Sequence, residues 1–242
     1  MSNTILHKAA TRGHADHGWL DSYQSFSFAG YYNPERTQFG VLRVLNDDIV
    51  AGGKGFGSHP HDNMEIISIP LEGSMVHEDN MGHKEVVSAG EIQVMSTGSG
   101  VFHSEYNNSP DKPVKFLQIW LFPNKLNVEP RYDQVKLDRA KGENKLQQLL
   151  SPYMSEEGSW IHQDAWFFSG HFDKDREFVY EKKKEENGVY LFVIKGSFQA
   201  GGQKLESRDG LGITGTDAIQ LKSLQPDSEI LIMDVPMENK IR

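Results

Sequence analysis

Along most of the chain, apolar residues alternate with polar ones or gather in runs of roughly four to eight, separated by Gly, Asn, Asp or Pro, which is the pattern of strands and not of long helices. Gly40-Val41-Leu42-Arg43-Val44-Leu45, Glu65-Ile66-Ile67-Ser68-Ile69, Glu91-Ile92-Gln93-Val94-Met95 and Lys115-Phe116-Leu117-Gln118-Ile119-Trp120-Leu121 are examples. The second half continues with Val189-Tyr190-Leu191-Phe192-Val193-Ile194 and Glu229-Ile230-Leu231-Ile232-Met233-Asp234-Val235. Many short strands about ten residues apart predict an all-β fold of sandwich or barrel type. From Pro123 to about Gly158 the alternation is lost and polar residues prevail, so this stretch reads as an interdomain connection, with a short helix over Asp138 to Lys145. Ile69-Pro70-Leu71-Glu72-Gly73-Ser74 and Phe192-Val193-Ile194-Lys195-Gly196-Ser197 echo each other, a strand ending in Gly-Ser each time, and hint at two copies of one β-barrel.

Composition narrows the functions open to such a fold. With 25 basic against 34 acidic residues the net charge is −9, a poor match to nucleic acid, whose phosphates call for a basic surface. No apolar run is long enough to span a membrane and no signal-like segment stands at the N-terminus, so a cytoplasmic protein is expected. The chain has no cysteine, which leaves imidazole and oxygen donors as the means of holding a metal.

Those donors are unevenly spread. Of the 10 histidines, only His162 and His171 lie in the second half. His59 and His61 flank Pro60, which keeps the segment extended, and residues two apart on a strand project to the same face. His103 and Glu105 form a second such pair. Two pairs on neighbouring strands can bring three nitrogens and one carboxylate oxygen around one ion, a donor mix that suits Fe(II), Mn(II), Ni(II), Zn(II) or Cu(II). Standing alone, His7, His14, His17, His77, His83, His162 and His171 read as surface or hydrogen-bonded residues.

The surroundings of the pairs resemble the cupin superfamily. Gly53, His59, His61, Glu65 and Gly73 follow its first motif, and Gly90, Gly98, His103 and Asn107 its second. The departures, a longer Glu65 to Gly73 spacing and Ser96 in place of the usual Pro, look like the pirin family. Gly18-Trp19-Leu20, Phe26-Ser27-Phe28-Ala29, Phe39 to Val44, Gly53 to His61, Gln118-Ile119-Trp120 and Asp209 to Ile213 fall in that family's order. The resemblance implies two tandem antiparallel cupin barrels, jelly-roll-like, over residues 1–135 and 136–242, only the first holding a metal.

It further implies His59, His61, His103 and Glu105 as metal ligands, with iron preferred and Zn, Ni, Mn, Cu or Co possible. Glu65 is then either an orienting partner of an imidazole or a surface residue. The implied activity is that of a quercetin 2,3-dioxygenase, which opens a flavonol ring with dioxygen and releases carbon monoxide, Glu105 acting as general base. Phe26, Phe28, Phe56, Met64, Met95 and Phe102 read first as core residues and only second as an apolar mouth around a small aromatic substrate. The alternative is an iron-binding, redox-responsive module acting on a protein partner. A monomer is expected.

Overall fold

The computed structural model describes residues 2–242. Its strands are β1 (Asn3–His7), β2 (Gly13–Asp16), β3 (Leu20–Gln24), β4 (Leu42–Val50), β5 (Gly55–His61), β6 (Glu65–Glu72), β7 (Ser74–Asp79), β8 (Lys84–Ser88), β9 (Glu91–Ser96), β10 (Val101–Asn107), β11 (Val114–Leu121) and β12 (Arg131–Lys136). They continue as β13 (Gln147–Ser151), β14 (Ser159–Trp160), β15 (Trp166–Phe172), β16 (Glu177–Glu181), β17 (Asn187–Lys195), β18 (Ser197–Ala200), β19 (Gln203–Glu206), β20 (Gly210–Thr214), β21 (Ala218–Ser223) and β22 (Ser228–Pro236). No helix among the described residues is long and apolar enough to cross a membrane.

The chain divides into two compact units that are not contiguous halves. Residues 13–137, with 159–163 and 239–242, form the N-terminal unit; residues 1–12, 138–158 and 164–238 form the C-terminal one. The first strand belongs with the second half because β1 pairs in register with β20, from Asn3 opposite Thr214 to His7 opposite Gly210. Such long-range pairing leaves no local trace in sequence. The stretch from Pro123 to Gly158 is also more ordered than its composition suggests. Within it, β12 completes a sheet of the N-terminal unit by pairing with β9, and the expected helix is one 3-10 turn, Arg139–Gly142, capped by Asp138, whose carboxylate accepts from the N–H of Ala140 at 3.0 Å.

Each unit is a sandwich of two open antiparallel sheets, jelly-roll-like and not a closed barrel. In the N-terminal unit one sheet runs β12-β9-β6-β11-β4-β3-β2 and the other β5-β10-β7-β8. The C-terminal unit repeats the plan, with β1-β20-β17-β22-β15-β13 and β16-β21-β18-β19. The repeated Gly-Ser is where the chain leaves the large sheet for the small one, at Gly73 between β6 and β7 and at Gly196 between β17 and β18. Both glycines are left-handed, φ 80° and 76°, and a side chain at Gly196 would also strike Ser228.

The interiors differ in chemistry. The C-terminal core is aliphatic and aromatic, with Phe172, Phe198, Leu191, Leu211 and Ile232 buried together. Part of the N-terminal core has the same character, around Met75, Val50 and Phe116. Across its large sheet, however, runs a row of buried polar residues in direct cross-strand register: Gln24 on β3, Asn46 on β4, Gln118 on β11, Ser68 on β6 and Gln93 on β9. Burying so many polar groups side by side is tolerated only where they are paired or have work to do.

Candidate metal centre

The small sheet of the N-terminal unit positions the candidate donors. On β10 burial alternates strictly, so that His103 and Glu105 turn inward while Phe102 and Tyr106 are exposed. The neighbouring β5 pairs antiparallel to β10 with His103 opposite His59 and Val101 opposite His61. Past His103 the register slips, Glu105 facing Phe56, so two residues of β5, Gly57 and Ser58, oppose one of β10. The carbonyl of Gly57, inside this bulge, accepts from Nδ1 of His59 at 2.7 Å. A carbonyl has no hydrogen to give, so Nδ1 carries a proton, and in the neutral ring Nε2 of His59 is the lone pair.

Donor nitrogens of His59, His61 and His103 lie within 4.8 Å of one another. Their ring centroids are 4.4 Å apart for His59 and His103, 4.8 Å for His59 and His61, and 5.0 Å for His61 and His103. Glu105 is not in this trio. Its carboxylate belongs to a second group, with His77 and His103, whose donor atoms likewise lie within 4.8 Å of one another. His103 is common to both groups.

The electrostatics favour neutral imidazoles. Burial, helped by the neighbouring His103 and His59, lowers His61 from 6.5 to about 4. Burial followed by His59 and His77 lowers His103 to about 3. Both rings therefore offer lone pairs at neutral pH. Both ring nitrogens of His103 are also buried with no hydrogen-bond partner. Unsatisfied nitrogens converging on two further imidazoles are what a cation would satisfy, so the residues present fit a transition metal ion.

Behind the donors, the polar row of the large sheet grips Glu105. Gln118 Nε2 donates to Oε2 at 2.8 Å and Gln93 Nε2 approaches Oε1 at 3.4 Å. The Ser68 hydroxyl lies 3.1 Å from Oε1 and 2.8 Å from the Gln118 carbonyl oxygen. At the other end of the row, Ser22, Gln24, Asn46 and Asp48 line a cavity of about 450 Å³ together with Phe28, Tyr31 and Phe56. Phe28 meets the edge of Trp120 at 5.3 Å, and Trp120 meets His61 at 4.8 Å, which connects the cavity wall to the donor cluster. A larger cavity, of about 640 Å³, lies in the C-terminal unit beside Lys222 and Glu177, which pair with each other.

Several expectations need amending. Glu65 neither orients an imidazole nor sits at the surface: it is buried on β6, and Oε2 accepts from the Ser96 hydroxyl at 2.6 Å. Burial pushes its carboxyl up to about 7 against that bond and the charge of Arg131. Of the six apolar mouth candidates, Phe28 and Phe56 line the cavity. Phe26 and Met95 are core, Met64 packs on the Ile66, Met95 and Val101 cluster, and Phe102 faces outward. His77 is hydrogen-bonded, as a lone histidine was expected to be, but it is also fully buried beside His103. Its inward position follows the alternation Met75, His77, Asp79, yet sequence does not reveal that β7 runs alongside β10.

Comparison with known proteins agrees with this architecture. Residues 6–121 match the family model described as Pirin, and residues 148–235 match that of the quercetinase C-terminal cupin domain. The chain is 43% identical to a quercetin 2,3-dioxygenase of Escherichia coli (strain K12) over 96% of this chain and 98% of that one. It is 36% identical to a pirin-like protein of Caulobacter vibrioides, covering 92% and 95%. The crystal structure of a bacterial pirin from Escherichia coli in complex with nickel(II) superposes with a TM-score of 0.91 at 41% identity, covering 97% of this chain and 99% of that one. Two sandwich units of one plan, a histidine cluster confined to the first, and similarity over nearly the whole length lead to one assignment: the chain belongs to the pirin family of two-domain cupin proteins.

Proposed function

We propose that this protein is a metal-dependent dioxygenase that opens the central ring of a flavonol such as quercetin, with one divalent transition metal held by His59, His61, His103 and Glu105. The observation that carries the reading is the cluster of three imidazoles around a buried His103 with no partner for either nitrogen, backed by a carboxylate fixed in place. The names of the relatives from Escherichia coli support the substrate class, and the nickel(II) complex supports a metal at the site. Iron is our preferred metal, on the family resemblance.

When bound, such a metal supplies a Lewis-acid contact for a substrate oxygen and a meeting point for dioxygen. The rest of the work falls to the chain. Glu105 takes the proton of the flavonol 3-hydroxyl on a carboxylate oxygen, while Gln118, Gln93 and Ser68 keep the carboxylate from swinging away. Phe28 and Phe56 line a cavity of about 450 Å³, within the usual range for small-molecule sites, as apolar walls for a flat substrate. Dioxygen and a small aromatic molecule are the partners this requires.

Two measurements on one variant test the assignment. Purified protein should carry about one transition-metal ion per chain. Glu105→Gln keeps an oxygen donor and removes the base, so turnover should fall roughly 100-fold or more while metal content stays near that of wild type. Unchanged turnover would exclude Glu105 as the base.

A further inference from the structure

Three imidazole nitrogens of the N-terminal unit are buried without a hydrogen-bond partner: Nδ1 of His77 and both nitrogens of His103. The two rings are neighbours, their centroids 5.4 Å apart. They stand on paired strands, where β7 places His77 opposite Glu105 and Asp79 opposite His103. A nitrogen of each ring and an oxygen of Glu105 come within 4.8 Å of one another.

His77 is firmly held from its other side. Its Nε2 lies 3.0 Å from Oδ2 of Asp79. The same carboxylate accepts the backbone N–H groups of Met81 and His83, at 2.9 and 3.0 Å, and Nδ1 of His83 at 2.9 Å. Burial opposes ionisation of Asp79, but these bonds from His77 and His83 outweigh it and hold the carboxyl below its ordinary value. A carboxylate only accepts, so the hydrogen of a neutral His77 ring is on Nε2, and Nδ1 is a bare lone pair. Tyr132 stacks on His77 at 4.6 Å and on His83 at 4.8 Å, which keeps both rings in their planes.

A neutral ring at His103 has one N–H and one lone pair, and neither nitrogen has a partner. His77 has a lone pair without a donor. We propose that His77 is a positioning residue for His103: the chain Asp79 Oδ2···H–Nε2 His77 Nδ1···H–N His103 fixes the tautomer of His103 and leaves its other nitrogen bare toward His59 and His61. One hydrogen bond then uses two of the three unpartnered imidazole nitrogens, and the third is the metal donor. The rings need only close to a hydrogen-bond separation of about 2.9 Å. A carboxylate and imidazole behind a metal-bound imidazole orient it and raise its basicity. The inference rests on the reading of His103 as a ligand.

The test uses Co(II) affinity by chelator competition and the imidazole ¹H–¹⁵N spectrum of the Zn(II)-loaded protein. His77→Phe removes the acceptor and should weaken Co(II) binding by roughly 10–100-fold. His77→Gln, whose Oε1 accepts in place of Nδ1, should recover most of the affinity. In wild type the remaining N–H of His103 should resonate far downfield, persist in His77→Gln and vanish in His77→Phe. Wild-type affinity in His77→Phe, or no downfield His103 N–H in the wild-type protein, would overturn the proposal even if one variant misfolds. Loss as complete in both His77 variants as in His103→Ala would make His77 a ligand and overturn it too. His103→Ala binding Co(II) like wild type would instead bring down the ligand reading itself.

Discussion

Asp48→Asn isolates what one buried carboxyl does to folding. Asp48 is 4% exposed, on β4, and its Oδ1 joins Gln24 Oε1 and Asn46 Oδ1 as buried acceptors with no donor. Burial, opposed by a hydrogen bond from Ser22 and reinforced by Asp47, Glu105 and Asp21, pushes the carboxyl from 3.8 to about 7. The sign follows from which state binds the proton. Below pH 3.8 both folded and unfolded chains keep it, and the stability contribution is whole. Between there and about pH 7 only the folded chain keeps it, and stability falls by about 1.4 kcal/mol per pH unit. Above about pH 7 the loss is complete, at most about 4 kcal/mol for a shift of about 3 units. Asn is neutral throughout, and its NH₂ donates to one of the orphaned oxygens. Urea unfolding followed by tryptophan fluorescence, at fixed ionic strength and equal metal loading, should show the variant about 2–4 kcal/mol more stable at pH 8, the gap closing toward pH 4. Glu65 titrates alike in both proteins and cancels. A gap that does not change with pH, or a variant less stable at pH 8, would refute the reasoning.

Gly98 adopts φ +45°, and a side chain there would run into the backbone carbonyl of Val128. Gly98→Ala should therefore lower unfolding stability by about 2–4 kcal/mol, measured by denaturant titration; a neutral effect would mean that this turn yields easily. Because His61 and His103 stay neutral down to about pH 4 and 3, protons should compete with a metal held as proposed at these two rings only as the pH falls through those values. A metal-release curve between pH 7 and 5.5 that requires three protonating imidazoles would contradict the burial of His61 and His103.

Much of the fold was legible because its strands are short, alternating and bounded by glycines, and the two copies share the Gly-Ser turn at Gly73 and Gly196. The candidate pairs were legible for a similar reason: His59 with His61, and His103 with Glu105, are spaced two apart, so local geometry alone puts each pair on one face, while the grouping of Glu105 with His77 was not legible. What stayed hidden depends on register between distant segments. The pairing of β1 with β20 moves the first strand into the second unit, and that of β7 with β10 carries His77 and Asp79 to the back of His103. The polar row from Gln24 to Gln93 is likewise invisible until five strands are aligned, each contributing one polar residue among apolar ones. Glu65 shows the opposite hazard. It occupies a motif position suggestive of a role at the metal, yet its neighbours on the sheet turn it toward Ser96.

Stoichiometric turnover of quercetin by iron-loaded protein tests the central claim most directly. Dioxygen uptake, loss of flavonol absorbance and carbon monoxide release, followed together, should advance in equal amounts in wild type and cease in His103→Ala, which lacks the imidazole common to both donor groups. Fully metal-loaded wild-type protein that consumes no dioxygen with any flavonol, or His103→Ala turning over as fast as wild type, would contradict it.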